Sequence, residues 1–509
     1  MGFCKPHLFV QSATQLFMLV VLLILLGACA VFTPVGTDAI RGTDIQLWHR
    51  DNALQKLIDE KTKSYLTTDN SVRLLVNGVE GFARRYENMH SARFIFVKTF
   101  LFTDDEEGRR MATALSERAR AGIPVVLQYD VKGSIASTAD VADMLKHTSS
   151  TLPIGEKRII HDMREAGVTI VPTNSLSRPY ELKEWWENIQ RFFQSPIAAL
   201  KRSTESLVLF DYCDHEKYFI TGHEGDEIRA IVGGMNIASE YAWGGIPGRK
   251  DTVTGKVGWH DVDVEVRGPA AYAAFREFLS DMKMHTGREL PSRLAEMVKK
   301  ITKASKSKFE RARVRFVVHH PLSERKRYVE DLYRILMQAT PPGEPIFIAT
   351  AYFAPSKRIR DAIIEHAKLG GIVTVLTNSL ESNNHPILTI AAHYAALEIM
   401  KNTENFHLYE WKPRAEKGEQ TMHQKLASFG RFGPVIVGSF NLDAQSAVHN
   451  TESVYLIDEP SFRERFDQLT ERYLSQEYSK RIFREDLETE PILKRIHSFL
   501  THELAWYWL

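Results

Sequence analysis

The sequence predicts an α/β chain of two homologous halves, each a mainly parallel sheet flanked by helices, packed around a pseudo-twofold axis. Two observations predict it. A strand–helix–strand pattern occurs once in each half of the chain, and such units imply parallel pairing with a right-handed crossover. A second pattern also recurs: His-x-Lys, then a strand, then a turn of small residues, then Asn. It appears first as His215, Lys217, Gly233-Gly234 and Asn236, and again as His423, Lys425, Gly438-Ser439 and Asn441. A repeat of this size argues for duplication of a whole structural unit.

The elements follow in order. Arg93-Phe94-Ile95-Phe96-Val97 reads as a buried strand, and Asp104 to Ala121 as a helix whose acidic first turn suits the helix dipole. Gly122 ends that helix, and Pro124 to Tyr129 is the next strand. In the second half Pro345 to Thr350 is the strand. Ser356 caps a helix bearing Ile359, Ile363, Ile364 and Ala367, Gly370-Gly371 closes it, and Ile372 to Leu376 follows. The organisation expected is a signal or anchor at 1–29, a spacer at 30–70, a first half at 71–298, a basic linker at 299–315 and a second half with a C-terminal tail at 316–509.

The chain has 509 residues, 44% of them hydrophobic, which is ample for a core. Lysine plus arginine (65) nearly balances aspartate plus glutamate (64), so net charge gives no argument for nucleic acid, and none is expected as a partner. The three cysteines, Cys4, Cys29 and Cys213, give no disulfide scaffold, and no Cys/His group has zinc spacing.

Leu16 to Phe32 is an uncharged apolar run preceded by Lys5. Its heart, Leu16 to Leu26, has the length of a signal peptide. Leu26-Gly27-Ala28-Cys29 resembles a bacterial lipoprotein signal, which would leave Cys29 as an acylated terminus. An uncleaved anchor, at the short edge of what spans a bilayer, and plain secretion are the other readings. The lipoprotein and anchor readings place the protein at a membrane of a bacterial envelope. Lys299 to Arg315 carries eight basic residues against Glu310 and reads as a solvated linker or as a patch for anionic headgroups. The aromatic end, Ala505-Trp506-Tyr507-Trp508-Leu509, suits a membrane interface or docking on the body.

On a strand, His-x-Lys presents both side chains to one face. The small residues before each Asn allow close backbone approach. Two imidazoles, two ammonium groups and two carboxamides brought together suit a phosphodiester. One His can attack phosphorus and the other can protonate the leaving oxygen, while Lys and Asn hold the non-bridging oxygens. The cations are built in, so neither metal nor cofactor is expected.

These residues resemble the phospholipase D superfamily, whose motif is His-x-Lys-x4-Asp followed by Gly-Gly/Ser-x-Asn. Gly438 to Asp443 with Ser446, Asn450 and Glu452 is similar to the bacterial form, as are Gly233 to Ile237, Trp259-His260-Asp261 and Gly268-Pro269-Ala270. Ala351 to Ser356, Leu376 to Leu380 and Leu408-Tyr409-Glu410 look like bacterial cardiolipin synthases, particularly the shorter C-type branch. The resemblance runs over residues 75–475 or so. It implies a phosphohistidine intermediate, with His215 as nucleophile and His423 as acid and then base. It also implies that Asp261 orients His423 and Glu452 orients His215 across the pseudo-twofold. The chain departs from the pattern where the motif Asp falls, at Gly222 and Gly430. His223 and His260 read as bystanders, and Cys213 as packing.

The function expected is a membrane-associated phosphatidyltransferase acting on phospholipids, with cardiolipin synthesis as the reaction, in a monomer with no assigned protein partner. Hydrolysis to phosphatidic acid is the alternative within the chemistry. A degraded, membrane-tethered binding protein is the alternative outside it.

Overall fold

A computed structural model describes residues 52–134, 157–174, 212–287, 312–321 and 327–489. The N-terminal segment with Cys29, most of the basic run before Ala312 and the aromatic C-terminus lie outside the described residues. Among the described residues, no helix is long and apolar enough to cross a membrane.

The strands of the first half are β1 (Leu66–Val76), β2 (Phe94–Thr99), β3 (Val125–Asp130), β4 (Thr169–Thr173), β5 (Cys213–Asp214), β6 (Tyr218–Gly222), β7 (Ile228–Gly233) and β8 (Val262–Arg267). Those of the second are β9 (Ala312–His319), β10 (Ile346–Thr350), β11 (Val373–Asn378), β12 (Phe406–Trp411), β13 (Lys425–Phe429), β14 (Val435–Gly438), β15 (Asn450–Asp458) and β16 (Ser479–Ile482). They form one sheet in the order β16-β12-β11-β10-β13-β14-β15-β9-β1-β8-β7-β6-β2-β3-β4. Read outward from the centre, β1-β8-β7-β6-β2-β3-β4 mirrors β9-β15-β14-β13-β10-β11-β12. The mirror line is the antiparallel pair β1/β9.

The strand directions correct one expectation. Within each half only the strand–helix–strand part is parallel, β2/β3/β4 and β10/β11/β12. The remaining pairs are antiparallel. The reason is local. The strand after each His-x-Lys turns straight back through a short connection, β6 to β7 and β13 to β14, and such a connection forces antiparallel pairing. The sheet is therefore mixed, in an α/β fold of two halves.

The principal helices are α1 (Asn52–Thr62), α2 (Asn77–His90), α3 (Glu106–Arg120), α4 (Pro269–Thr286), α5 (Tyr328–Ala339), α6 (Lys357–Lys368), α7 (Pro386–Met400) and α8 (Pro460–Tyr473). The crossover helices begin on side-chain caps, each worth about 1 kcal/mol. The Gly108 N–H donates to the Asp105 carboxylate at 2.8 Å, and the Ile359 N–H to the Ser356 hydroxyl at 3.3 Å. Basic residues in the last turn of α3, Arg118 and Arg120, complete its dipole pairing. Ile359, Ala362, Ile363 and Ala367 of α6 enter the apolar core that lies on one face of the second half.

Two flanking segments differ from their sequence reading. Residues 52–62, within the stretch read as a spacer, form α1. Its Leu54 and Ile58 are buried in the core of the second half. Arg315, counted in the basic run, lies in β9 and is fully buried. It donates to Ser64 O at 2.7 Å and Gln55 Oε1 at 2.8 Å, and pairs with Asp59. It therefore fastens α1 to the central strands rather than facing solvent.

Candidate active site

The structure brings His215, Lys217, Asn236, His423, Lys425, Asn441, Gly234, Asp261, Ser439 and Glu452 to buried positions along the seam between the halves. Neither His-x-Lys lies wholly on a strand. His215 and Lys217 occupy the link between β5 and β6, while His423 precedes β13 and Lys425 begins it. Each link is pinned to the other half. Strand β5 pairs parallel with the start of β15, and the His215 N–H donates to Thr451 O at 3.2 Å. Reciprocally, the His423 N–H donates to His260 O at 2.7 Å, and the His260 N–H to Thr421 O at 2.7 Å.

This exchange sets both imidazoles against carboxylates of the opposite half. His215 Nδ1 is 2.8 Å from Glu452 Oε1, and His423 Nδ1 is 2.8 Å from Asp261 Oδ2. With Nδ1 held by an acid, Nε2 is the nitrogen turned to chemistry, and at His423 the Lys425 ammonium lies 3.3 Å from it. The turn residues explain the two acids. The Ser439 hydroxyl donates to Glu452 Oε2. At Gly234 an added Cβ would lie 2.3 Å from Asp261 Oδ1, so the glycine makes room for that carboxylate. Asp261 Oδ1 accepts from the Val262 N–H at 2.7 Å.

Asn236 Oδ1 accepts from the Leu101 N–H at 3.1 Å and the Thr99 hydroxyl at 3.3 Å, which fixes the amide plane. Among the described residues, Asn441 Oδ1 is buried with no hydrogen-bond donor.

Electrostatically the arrangement suits an anion. Burial and the ammonium groups of both Lys217 and Lys425 hold the two imidazoles well below the usual histidine range. Burial lowers Lys217 to about 7 and Lys425 to about 8, and the Lys425 ammonium pushes Lys217 down further. Burial raises Glu452 to about 7, and raises Asp261. Cations and imidazoles crowded this way gain from a bound anion that restores favourable charge. Phosphate oxygens meet that need.

The departures at the motif Asp are accommodated. An added Cβ at Gly222 would lie 2.0 Å from the Phe94 ring, so the aromatic fills the space. Gly430 has φ +72° and its N–H donates to Pro345 O at 2.8 Å, a left-handed turn suited to glycine.

Sequence reasoning missed several supports. His260, read as a bystander, holds the His423 backbone, stacks on Trp411 at 5.0 Å and lies 3.2 Å from Glu419. Asn378 grips the residue before His423, accepting from Met422 N at 3.0 Å and donating to Met422 O at 2.7 Å. Asp130 does the same before His215, accepting from Asp214 N at 2.7 Å. Phe100 meets His215 edge-on at 5.1 Å, and Tyr241 meets His423 likewise at 5.1 Å. Of the other residues read as bystanders, the His223 ring bonds Thr221 Oγ1 at 2.9 Å, and Cys213 lies in β5 with no disulfide among the described residues.

The halves differ behind the two motifs. Buried Lys98 is ion-paired to Asp214 at 2.9 Å, Glu216 at 2.5 Å and Asp281 at 2.6 Å. The mirror positions of Lys98, its neighbour Gln128, Asp214 and Glu216 are Ala349, Leu376, Met422 and Gln424.

Comparison with known proteins agrees with this geometry. Residues 332–474 match the family described as cardiolipin synthase, PLD-like domain. The chain is 24% identical over 401 residues to the probable cardiolipin synthase YwiE of Bacillus subtilis, covering 78% of this chain and 65% of that protein. It is 25% identical over 406 residues to cardiolipin synthase A of Pseudomonas aeruginosa, covering 79% of this chain and 67% of that one. The chain thus spans about two thirds of the length of these relatives. Its fold is that of the phosphatidylserine synthase of Haemophilus influenzae, with a TM-score of 0.58 at 12% identity over 90% of this chain and all of that one.

Proposed function

We propose, for a phospholipase D-type enzyme that carries a PLD-like domain of the cardiolipin synthase family, that it transfers phosphatidyl groups between phospholipids and makes cardiolipin. The observation that carries this reading is the reciprocal pairing of His215 with Glu452 and His423 with Asp261 around two lysines.

In the first step His215 Nε2 attacks phosphorus. The P–O bond to the departing alcohol breaks, and that oxygen takes a proton from His423. The phosphatidyl group is then on His215. In the second step the hydroxyl of an acceptor phospholipid gives its proton to His423 and attacks phosphorus, and the N–P bond breaks. Lys217, Lys425, Asn236 and Asn441 hold the non-bridging oxygens throughout. Glu452 and Asp261 keep each Nδ1 protonated and stabilise each imidazolium as it forms. The Leu26-to-Cys29 signal supports attachment to a bacterial envelope membrane, where both lipids reside. Water in place of the acceptor would give phosphatidic acid.

Trapping tests the division of labour. A substrate whose leaving group needs no protonation should load His423→Ala but not His215→Ala, and the quenched protein should carry phosphorus on His215. Label on His423 instead would reverse the roles. No adduct in any form, with turnover still measurable, would exclude a covalent route. Lipid extracts from cells with and without the gene decide between cardiolipin and phosphatidic acid.

A further inference from the structure

The buried cluster behind His215 carries more negative charge than its ammonium offsets. Asp214, Glu216 and Asp281 are at most 2% exposed, and among the described residues Lys98 is the ammonium ion-paired with all three. Lys98 and Gln128 take Asp281 Oδ2. Asp281 Oδ1 faces the other way, toward two imidazoles, at 3.4 Å from His285 Nε2 and 3.8 Å from His320 Nε2. Both separations are long for a charge-assisted hydrogen bond, which runs to roughly 2.7–2.9 Å. They approach the spacing of two ligands on one metal. Donors at roughly 2.0–2.2 Å from a tetrahedral zinc lie roughly 3.3–3.6 Å from each other. One ligand atom from each of Asp214, Asp281 and His285 falls within 4.8 Å of the others.

The geometry points to a divalent metal site formed by Asp214, Asp281 and His285. Two charges from the metal would balance the cluster, three carboxylates against Lys98 and the ion, with the His285 imidazole as a neutral ligand. Mixed imidazole and carboxylate donors suit zinc before magnesium or calcium, which favour oxygen alone. The residues come from two places, the end of β5 (Asp214) and α4 (Asp281 and His285). A metal there clips these elements together directly beside His215 in the chain. It does not face phosphorus, where Lys217 and Lys425 supply the charge, so its role is to hold the His215 segment in place. Among the described residues the second half has no equivalent cluster, and Met422, Gln424, Ala349 and Leu376 stand at the mirror positions.

The test uses the full-length protein, purified without a metal-chelating resin. Its metal content is measured by mass spectrometry, and the chelator-stripped protein is titrated with Zn²⁺ and, as an optical probe, Co²⁺. About one ion per chain is expected, with a Co²⁺ spectrum of nitrogen and oxygen ligands and a rise in melting temperature on Zn²⁺ addition. Asp281→Asn and His285→Ala should weaken binding by more than the roughly 10–100-fold that loss of an outer-shell partner costs. His407→Ala, on β12 of the other half, should leave it unchanged. Stripped wild-type protein that stays folded yet takes up neither Zn²⁺ nor Co²⁺ would overturn the site, whatever the variants do. So would uptake that both ligand variants retain in full.

Discussion

His215 and Glu452 stand 237 positions apart in the chain and 2.8 Å apart in space. Each half supplies the imidazole for one side of the site and the carboxylate for the other, because His423 leans in the same way on Asp261.

That crossing predicts how the acids act. Glu452→Gln and Asp261→Asn keep the shape of each side chain and remove its charge. Each should lower kcat by roughly 10²–10⁴-fold, the range for general acid–base contributions, with little change in KM. Single-turnover release of the headgroup alcohol measures this. A loss confined to KM would show that the carboxylates shape binding only.

Anion binding should depend on pH in a defined direction. Lys217 and Lys425 are lowered to about 7 and about 8 in the empty site, so each is an ammonium below that pH and a neutral amine above it. A phosphodiester favours the ammonium forms, so binding takes up protons where the lysines are already losing them. The inhibition constant of inorganic phosphate or vanadate should hold steady below pH 7 and weaken as pH rises through about 8. Tighter inhibition at higher pH would contradict this electrostatic account.

Restoring the motif acids should do harm. Gly222→Asp drives a side chain into Phe94, and overpacking of this kind costs roughly 1–3 kcal/mol before the buried charge is counted. Gly430→Asp places a side chain at a left-handed φ, at roughly 1–2 kcal/mol. Both variants should melt lower than wild type and gain no activity. A higher melting temperature in either would mean that the missing Asp had been a loss without compensation.

Attachment is tested at Cys29. Cells fed a fatty-acid analogue should label the wild-type protein and leave Cys29→Ser unlabelled. Equal labelling would move the reading to an uncleaved anchor.

Much of the site was legible because its chemistry is carried by short spacings. His-x-Lys and the small-residue turn before Asn each fall within a few residues, and each appears twice. The α/β halves were legible for the same reason, through caps such as Ser356 and the apolar face of Ile359 and Ile363. The antiparallel majority of the sheet was not, since the strand–helix–strand signal dominated the reading. Nor was the Lys98 cluster, because Lys98 and Asp281 are 183 residues apart and no local pattern joins β2 to α4. Arg315 looked like one more charge in a basic run. Its burial depends on α1, whose Asp59 and Gln55 arrive from more than 250 residues away.

The antiparallel contact of β1 with β9 at the mirror line has one more consequence. Two identical copies of such a half, meeting along that same edge, would form a symmetric dimer in which every substitution is made twice. Both histidines would then change together. In the joined chain a substitution is made once. One side has acquired Lys98 and its carboxylates while the other keeps Ala349 and Gln424, and the two imidazoles are free to become different chemical tools.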